Sequence, residues 1–350
     1  MNLFGKKISQ NNYPLFVAEL SCSHGGSITQ AKELIQAAKE CGADAVKIQC
    51  YTADEMTINH RSYSGSYEVS NEFFVSKGLW KDRHLYDLYS KTGTPYAWIP
   101  ELFQYAKTCD IPIFSSVFGA NSLSVLENNG CPVYKIASFE NEDHELIKKV
   151  VSTNKPVILS TGMLSEAGLY ITKQLLNPNN AVLMHCVSAY PCPVLASNLY
   201  KIQIMRSFYP FFIGFSDHTI GKETAGIAVA LGAKVIEKHL NLKGATTEDS
   251  EFSATPEEFK ILKNWCYNVH DMVKHSASAE ENSRQFKRSL YVVKNIKAGE
   301  QFTHENIRSI RPSYGLHPSK YSEVINKIAK EDIKIGTPLK VEHIDYEWRI

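Results

Sequence analysis

The sequence predicts a (β/α)8 TIM barrel followed by a small β-rich domain, and three observations lead there. Short apolar runs alternate with helical patterns eight times over roughly the first 280 residues, which suits a closed parallel barrel better than an open sheet. Every apolar run ends in hydrogen-bonding or charged residues, and a barrel gathers its chemistry at the C-terminal ends of its strands. Past residue 275 the rhythm stops, and short strand and turn patterns replace it.

The predicted strands are Phe16–Leu20, Ala45–Ile48, Ile111–Ser115, Val133–Ile136, Val157–Leu159, Val182–Cys186, Phe212–Phe215 and Lys234–Glu237. Helical periodicity separates them, as in Thr29–Cys41, Ser122–Asn129, Glu145–Ser152, Leu199–Phe208 and Glu223–Leu231, with Pro256–Val273 as the eighth helix. The polar strand ends are Glu19; Lys47 with Gln49; Ser115 with Ser116; Lys135 with Ser138 and Glu140; Ser160 with Thr161; His185 with Ser188 and Tyr190; Ser216 with His218; and His239. Together they predict a large polar site on one rim of the barrel. The catalytic domain is expected to span 1–275. Residues 276–284 read as a polar linker, and 285–350 as a compact module with short elements at Ser289–Val293, Lys297–Glu300, Ile307–Ile310 and Lys334–Thr337.

Composition bounds the function. With 350 residues and 43% hydrophobic content the chain can bury a large core. A net charge of +1 and no long Lys/Arg run give no electrostatic reason to expect nucleic acid. No apolar run approaches the roughly 20 residues needed to span a bilayer, and the start, Met-Asn-Leu-Phe-Gly-Lys-Lys, lacks the apolar centre of a secretion signal. A cytoplasmic protein without membrane contact is expected. The eight cysteines are scattered without a CxxC pair, which argues against a disulfide framework or a thiolate metal site, and Cys186 with Cys192 is the one pair that sequence brings near.

Two histidines carry the sharpest chemical signal. His218 in Ile213–Thr219 and His239 in Val235–His239 each follow an apolar run, with a helical stretch between, so two adjacent parallel strands would hold both imidazoles at one edge. A divalent cation could bridge them. Two imidazoles leave coordination positions open, which suits a catalytic ion with bound water rather than a closed structural site.

In order along the chain, Ala18–Gly26 (AELSCSHGG), Gly42–Gln49 (GADAVKIQ), Tyr134–Ser138 (YKIAS), Leu159–Met163 (LSTGM), Gly214–Thr219 (GFSDHT) and Ile236–His239 (IEKH) resemble the motifs of the sialic acid synthase (N-acetylneuraminate synthase) family. The tail, with Ile310-Arg311-Pro312 and Gly315–Pro318, is similar to that family's antifreeze-like (SAF) domain. Gly78-Leu79-Trp80, Leu85–Tyr89 and Thr94–Trp98 resemble the pseudaminic acid synthase branch. The chain departs from the family pattern at Ser23, Cys50 and Gly119, the last removing a carboxylate from the third βα loop.

The resemblance implies condensation of phosphoenolpyruvate with an amino-sugar aldehyde, giving a nine-carbon 2-keto acid and phosphate. It places Lys47, Gln49, Lys135, Ser138, Ser160, Thr161, Ser188 and Ser216 around phosphoenolpyruvate, and His218 and His239 on a divalent metal, Mn2+, Mg2+ or Co2+. Imidazole ligands favour Mn2+, Co2+ or Zn2+ over Mg2+ by softness. Glu19 is implied as base or water orienter beside that ion, with Tyr190 and Asp249 as polar partners. Arg311 would complete the site of a neighbouring subunit in a domain-swapped homodimer. Residues 50–81 form a long loop after the second strand, on the catalytic face, where aromatic rings could select a deoxygenated sugar. An N-acetylneuraminate or legionaminate synthase, and a non-catalytic sugar-binding barrel, are the alternatives. The paired histidines and lysines argue against the second of these.

Overall fold

The computed structural model describes residues 1–59, 71–78, 80–275 and 280–345. Two compact units divide at His275/Ser276. In the first, eight parallel strands close into a barrel: β1 (Leu15–Glu19), β2 (Ala45–Gln49), β3 (Ile113–Ser116), β4 (Tyr134–Ile136), β5 (Val157–Ser160), β6 (Ala181–His185), β7 (Phe212–Asp217) and β8 (Val235–His239). Each pairs with its successor, and β8 returns to β1 with His239 opposite Glu19. The third strand begins later than its apolar run, at Ile113, because Asp110 turns the chain with φ +52 and Pro112 has no amide hydrogen to offer a ladder. A short antiparallel pair, Asn2–Leu3 with Lys6–Lys7, precedes the barrel.

The helices follow their sequence signals. In α1 (Ile28–Glu40) the buried residues Ala31, Leu34, Ile35 and Ala38 fall at i, i+3, i+4 and i+7, and Ser27 caps the N-terminus by accepting from the Gln30 amide. The helix α10 (Pro256–Lys274) starts with a reciprocal box: Thr255 Oγ1 accepts from the Glu258 amide, and Glu258 Oε2 accepts from the Thr255 amide. Between β2 and β3 lie α2 (Ala53–Met56), α3 (Leu85–Thr92) and α4 (Ile99–Thr108); α5 (Ala120–Asn128) follows β3. Further round are α6 (His144–Val151), α7 (Glu166–Thr172), α8 (Tyr200–Phe208) and α9 (Glu223–Ala230). Phe16, Phe114, Tyr134 and Phe215 are among the largest fully buried side chains, each contributing about 1.5–3 kcal/mol of burial.

Strand parity decides what reaches the barrel interior, because successive side chains point to opposite faces. Lys47 and Gln49 face inward, as do Lys135, Ser160, Ser216, and Glu237 with His239, all of which line one cavity or its floor. Tyr134, of opposite parity, instead reaches Glu127 of α5, and Lys238 binds Asp217 at 3.1 Å behind the sheet.

The second unit packs around Leu290, Val292, Phe302, Ile307, Val324 and Leu339. Its strands are β9 (Ser289–Val292) with β10 (Ile307–Ile310), and β11 (Ile328–Ala329) with β12 (Ile344–Asp345). The stretches 297–300 and 334–337, expected as short elements, are turns in which Gly299 (φ +83) and Gly336 (φ +88) adopt left-handed backbone. Within the expected linker, 276–279 lie outside the described residues, and Glu281–Phe286 forms a 3-10 helix. Among the described residues no helix is long and apolar enough to cross a membrane.

Candidate active site

A cavity of about 310 Å3 opens at the C-terminal ends of the strands. On its floor lies a chain of buried charges. Lys47 Nζ stands 3.1 Å from Glu19 Oε2 and 3.0 Å from Glu237 Oε1, while Lys135 Nζ lies 3.8 Å from the same Glu237 oxygen. Ser216 Oγ donates to Glu237 at 2.8 Å, and Gln49 donates to Glu19 at 3.1 Å.

The two lysines differ electrically. Burial disfavours the Lys47 cation, but Glu19 and Glu237 outweigh it and hold its pKa above the usual value. Lys135 has one distant carboxylate and Lys47 as a like-charged neighbour, so burial wins and pushes it down to about 8. Burial likewise resists ionisation of Glu237, but Lys135 and Lys47 hold its carboxyl well below the ordinary range. Glu19 is raised by burial despite Lys47, and Glu140 is pushed up to about 7 by burial, with Lys135 partly offsetting it.

The imidazoles lie across the cavity with ring centroids 5.6 Å apart. His218 Nδ1 is 2.8 Å from the Val187 carbonyl, which fixes the proton on that nitrogen and leaves Nε2 as a lone-pair donor near Ser216 Oγ at 3.2 Å. Burial first, and then His239, push His218 down to about 3, so the ring is neutral. His239 Nδ1 approaches Asp249 Oδ2 at 3.3 Å, a carboxylate-backed imidazole whose other nitrogen is likewise free of that contact. The His218 imidazole, neutral and held by a backbone carbonyl, and the His239 imidazole beside the Asp249 carboxylate are a donor set that fits a divalent ion. Among the described residues no three imidazole, thiol or carboxylate groups converge as a full ligand cage, so water or substrate oxygens would fill the remaining positions.

Tyr190 sits between the halves, its ring 4.3 Å from His218, 5.1 Å from Phe252 and 6.0 Å from Trp80. The remaining wall is apolar and includes Tyr51, Met56, Leu88, Tyr89 and Phe118.

Most residues expected from sequence converge here: Lys47, Gln49, Lys135, Ser138, Ser160, Tyr190, Ser216, His218, His239 and Asp249 line the cavity, and Glu19 lies directly beneath. Others do not. Thr161 faces the helix layer, its Oγ1 directed to the Met184 carbonyl and Met205 sulfur and its amide bonded to Met184. Ser188 is not in the lining; its Oγ packs 2.7 Å from where a Cβ on Gly162 would sit, as do Cys186 Sγ and Ser138 Oγ at 2.8 Å, so a side chain there would displace all three. His185 also faces outward, with Nε2 2.8 Å from the Ser197 carbonyl and its ring stacked on Phe215. Of the pseudaminic-type segment, Trp80, Leu85, Leu88 and Tyr89 reach the cavity, whereas Trp98 packs edge-on to His24 and Tyr96 turns to Glu55. Leu79, and 60–70 of the preceding loop, lie outside the described residues. Arg311 is exposed on the second unit. Glu140, one of the polar strand ends read from sequence, lines the cavity; Glu237 and Cys22, which line it too, had been given no role. Glu237 shares the parity of His239, and that alternation was the available signal.

The NeuB family model matches residues 34–278, and the SAF domain model matches residues 287–345. The chain belongs to the NeuB family. A pseudaminic acid synthase of Campylobacter jejuni subsp. jejuni serotype O:2 is 40% identical to it, covering 93% of this chain and 94% of the relative. An N,N'-diacetyllegionaminic acid synthase of the same organism is 32% identical, covering 91% of this chain and 97% of the relative. Among solved structures, the N-acetylneuraminic acid (sialic acid) synthetase of Leptospira borgpetersenii serovar Hardjo-bovis, in complex with citrate, superposes with a TM-score of 0.70 at 26% identity, covering 81% of this chain and 94% of that one. In this NeuB-family chain the cavity residues from Lys47 to Phe252 fall inside the family match, and Arg311 falls inside the SAF match.

Proposed function

We propose that the chain is a pseudaminic acid synthase, condensing phosphoenolpyruvate with 2,4-diacetamido-2,4,6-trideoxy-altrose in its open-chain aldehyde form. The observation that carries this reading is the division of one cavity into an underneutralised cation with hydroxyls at one side, an imidazole pair at the other, and an apolar wall above. The likeness to pseudaminic acid synthase over nearly the whole chain selects among sugars.

Phosphoenolpyruvate brings two anionic groups. Lys135, with charge left over from Glu237, and the Ser138, Ser160 and Ser216 hydroxyls receive them. Lys47 organises the carboxylates beneath. The nucleophilic carbon of the enol attacks the aldehyde carbon, a C–C bond forms, and the aldehyde oxygen takes a proton. Water adds to the electron-poor carbon that bears the phosphate, and the C–O bond to phosphate then breaks to leave the 2-keto acid. Glu19, whose carboxylate burial makes more basic than usual despite Lys47, orients and deprotonates that water. His218 and His239 would hold a divalent metal, which when bound supplies Lewis acidity toward the aldehyde oxygen and acidifies coordinated water. Asp249 keeps His239 oriented, and Tyr190 packs against His218 and excludes water from its face. The apolar wall around Trp80 and Tyr89 suits a sugar carrying a methyl group where common hexosamines carry a hydroxyl. Arg311 is assigned to the neighbouring subunit's site in a crossed-over homodimer, its guanidinium offering a fork of donors to substrate oxygens.

Incubating the protein with phosphoenolpyruvate, Mn2+ and a panel of amino sugars, then weighing the product, tests the reading. A higher kcat/KM for N-acetylmannosamine or for the legionaminate precursor would replace it with the related synthase activity, and no product from any sugar would leave a binding barrel.

A further inference from the structure

Gly119 occupies the N-cap position of α5, where a side-chain oxygen ordinarily accepts from the second or third amide of the helix. It has no side chain to do so. Those amides are nevertheless satisfied: Glu55 Oε1 accepts from Asn121 N at 3.0 Å and from Ser122 N at 2.9 Å. Ser122 Oγ reaches back to the Gly119 amide at 3.1 Å, completing the reciprocal arrangement. The carboxylate comes from α2, on the loop after β2, and a Cβ on Gly119 would lie 2.5 Å from Glu55 Oε1. The φ of −169 at Gly119 is open to any residue, so space for Glu55, not backbone conformation, is what demands glycine there. The other oxygen, Oε2, accepts from the Tyr96 hydroxyl, ahead of α4.

One side chain thus ties together three segments that are distant in sequence. Its neighbours form the apolar wall of the cavity: Tyr51 and Met56 flank it on the α2 side, and Phe118 precedes Gly119 on the α5 side. Tyr51 meets Phe118 edge-on at 4.9 Å across this junction. We propose that Glu55 is a positioning residue that caps α5 from another loop and thereby fixes the Tyr51–Met56–Phe118 wall against the sugar, with Gly119 as its obligatory partner. Position 119 and position 55 hold one carboxylate between them, and its placement on the β2 loop couples that loop to the helix after β3.

The inference rests on the sugar-condensing reading for its kinetic consequence but not for its structural one, so the two fail separately. Glu55→Ala removes the cap and the tie; the Tm should fall by about 2–4 °C. Gly119→Asp in the intact protein sets two carboxylates against each other and should lower the Tm as well. In the Glu55→Ala background the same Gly119→Asp change restores a local cap and should raise the Tm. This reversal of sign requires no activity, and equal effects of Gly119→Asp in both backgrounds would overturn the clamp. With the amino sugar that gives product, Glu55→Ala should raise the sugar KM about tenfold while the phosphoenolpyruvate KM moves less than about twofold. Glu55→Ala/Gly119→Asp should recover the Tm but keep the raised sugar KM, because the helix is capped again while the loop stays untied. Recovery of both together would reduce Glu55 to a stability element, and an unchanged sugar KM in Glu55→Ala would refute the positioning role. If no sugar is turned over, the sugar-condensing reading fails while the thermal comparison still decides the clamp.

Discussion

Lys135 should make the affinity for phosphoenolpyruvate fall steeply above pH 8. Its ammonium is fully buried beside a single carboxylate at 3.8 Å, and burial brings its pKa down to about 8. Phosphate monoesters lose their second proton near pH 6, and Glu140, held near 7, is mostly ionised by 7.5, whereas Lys135 titrates across the range from 7.5 to 9.5. At pH 9 only about one Lys135 in eleven carries its charge in the empty site, so KM for phosphoenolpyruvate should be about tenfold its value at pH 7. Phosphate release measured at saturating sugar and fixed metal concentration gives the profile; log KM should approach a slope of about one per pH unit above 8. Calorimetry at pH 9 in two buffers should show proton uptake on binding, because the anion draws the proton back to Lys135. Lys135→Met should have a high KM without that slope. A stability consequence follows with its own sign. The unfolded lysine binds a proton that the folded one has lost between about pH 8 and 10.5, so the parent should gain stability relative to Lys135→Met as pH rises through that window. A parent KM that stays flat to pH 9.5, or the same slope in Lys135→Met, would refute the assignment.

Mn2+ binding followed by calorimetry should weaken at least about tenfold in His218→Ala and His239→Ala, and chelation should abolish turnover until metal returns; parent-like binding in both variants would remove the metal from these residues. Mixing His218→Ala with Arg311→Ala, after subunit exchange has been demonstrated, should restore part of the activity, since some mixed dimers then hold one site built from two intact halves. With exchange shown, no rescue rejects the crossed-over arrangement, and a fully active Arg311→Ala rejects the residue's role. Gly226→Ala in α9 drives a methyl group into the Trp265 indole of α10 and should cost about 1–3 kcal/mol, read as a lowered Tm with both KM values unchanged; a parent-like Tm would show that the helix pair shifts freely.

The barrel was legible because each strand is a short apolar run broken by a polar residue at its catalytic end. Lys47, Lys135, His218 and His239 all carry that mark. Parity was the information left unused. Thr161 and His185 stand at strand ends as plainly as Ser160 and His218, yet their side chains turn to the helix layer, where the Met184 and Ser197 carbonyls receive them. Glu237, two residues before His239, is inward for the same geometric reason. Loop contacts were less accessible: Asp249, and the role of Tyr190, came through family likeness, and the Glu55 cap joins segments whose periodicity says nothing about each other. Gly119 read as the loss of a carboxylate, whereas Glu55 of a neighbouring loop supplies one to the same helix terminus.

Two lysines at the ends of barrel strands look equivalent in sequence, and their surroundings make them different reagents. Lys47, between carboxylates at 3.0 and 3.1 Å, is already neutralised, and withdrawing it would strand two buried anions. It serves to keep Glu19 and Glu237 in place. Lys135 receives only the more distant share of Glu237, so its protonated form is less favourable in the empty cavity than in water, and the arrival of an anion relieves that cost. A site that leaves one cation short of countercharge sacrifices stability when empty, and recovers it only with a ligand that brings negative charge to that point. Because Lys135 and Lys47 both lean on Glu237, neutralising that carboxylate would disturb them in opposite functional senses: the anion receptor would lose its proton more readily, and the structural cation would keep Glu19 as its partner. The geometry therefore places control of anion binding with Glu237, which accepts from Ser216 and sits between the two lysines it divides unequally.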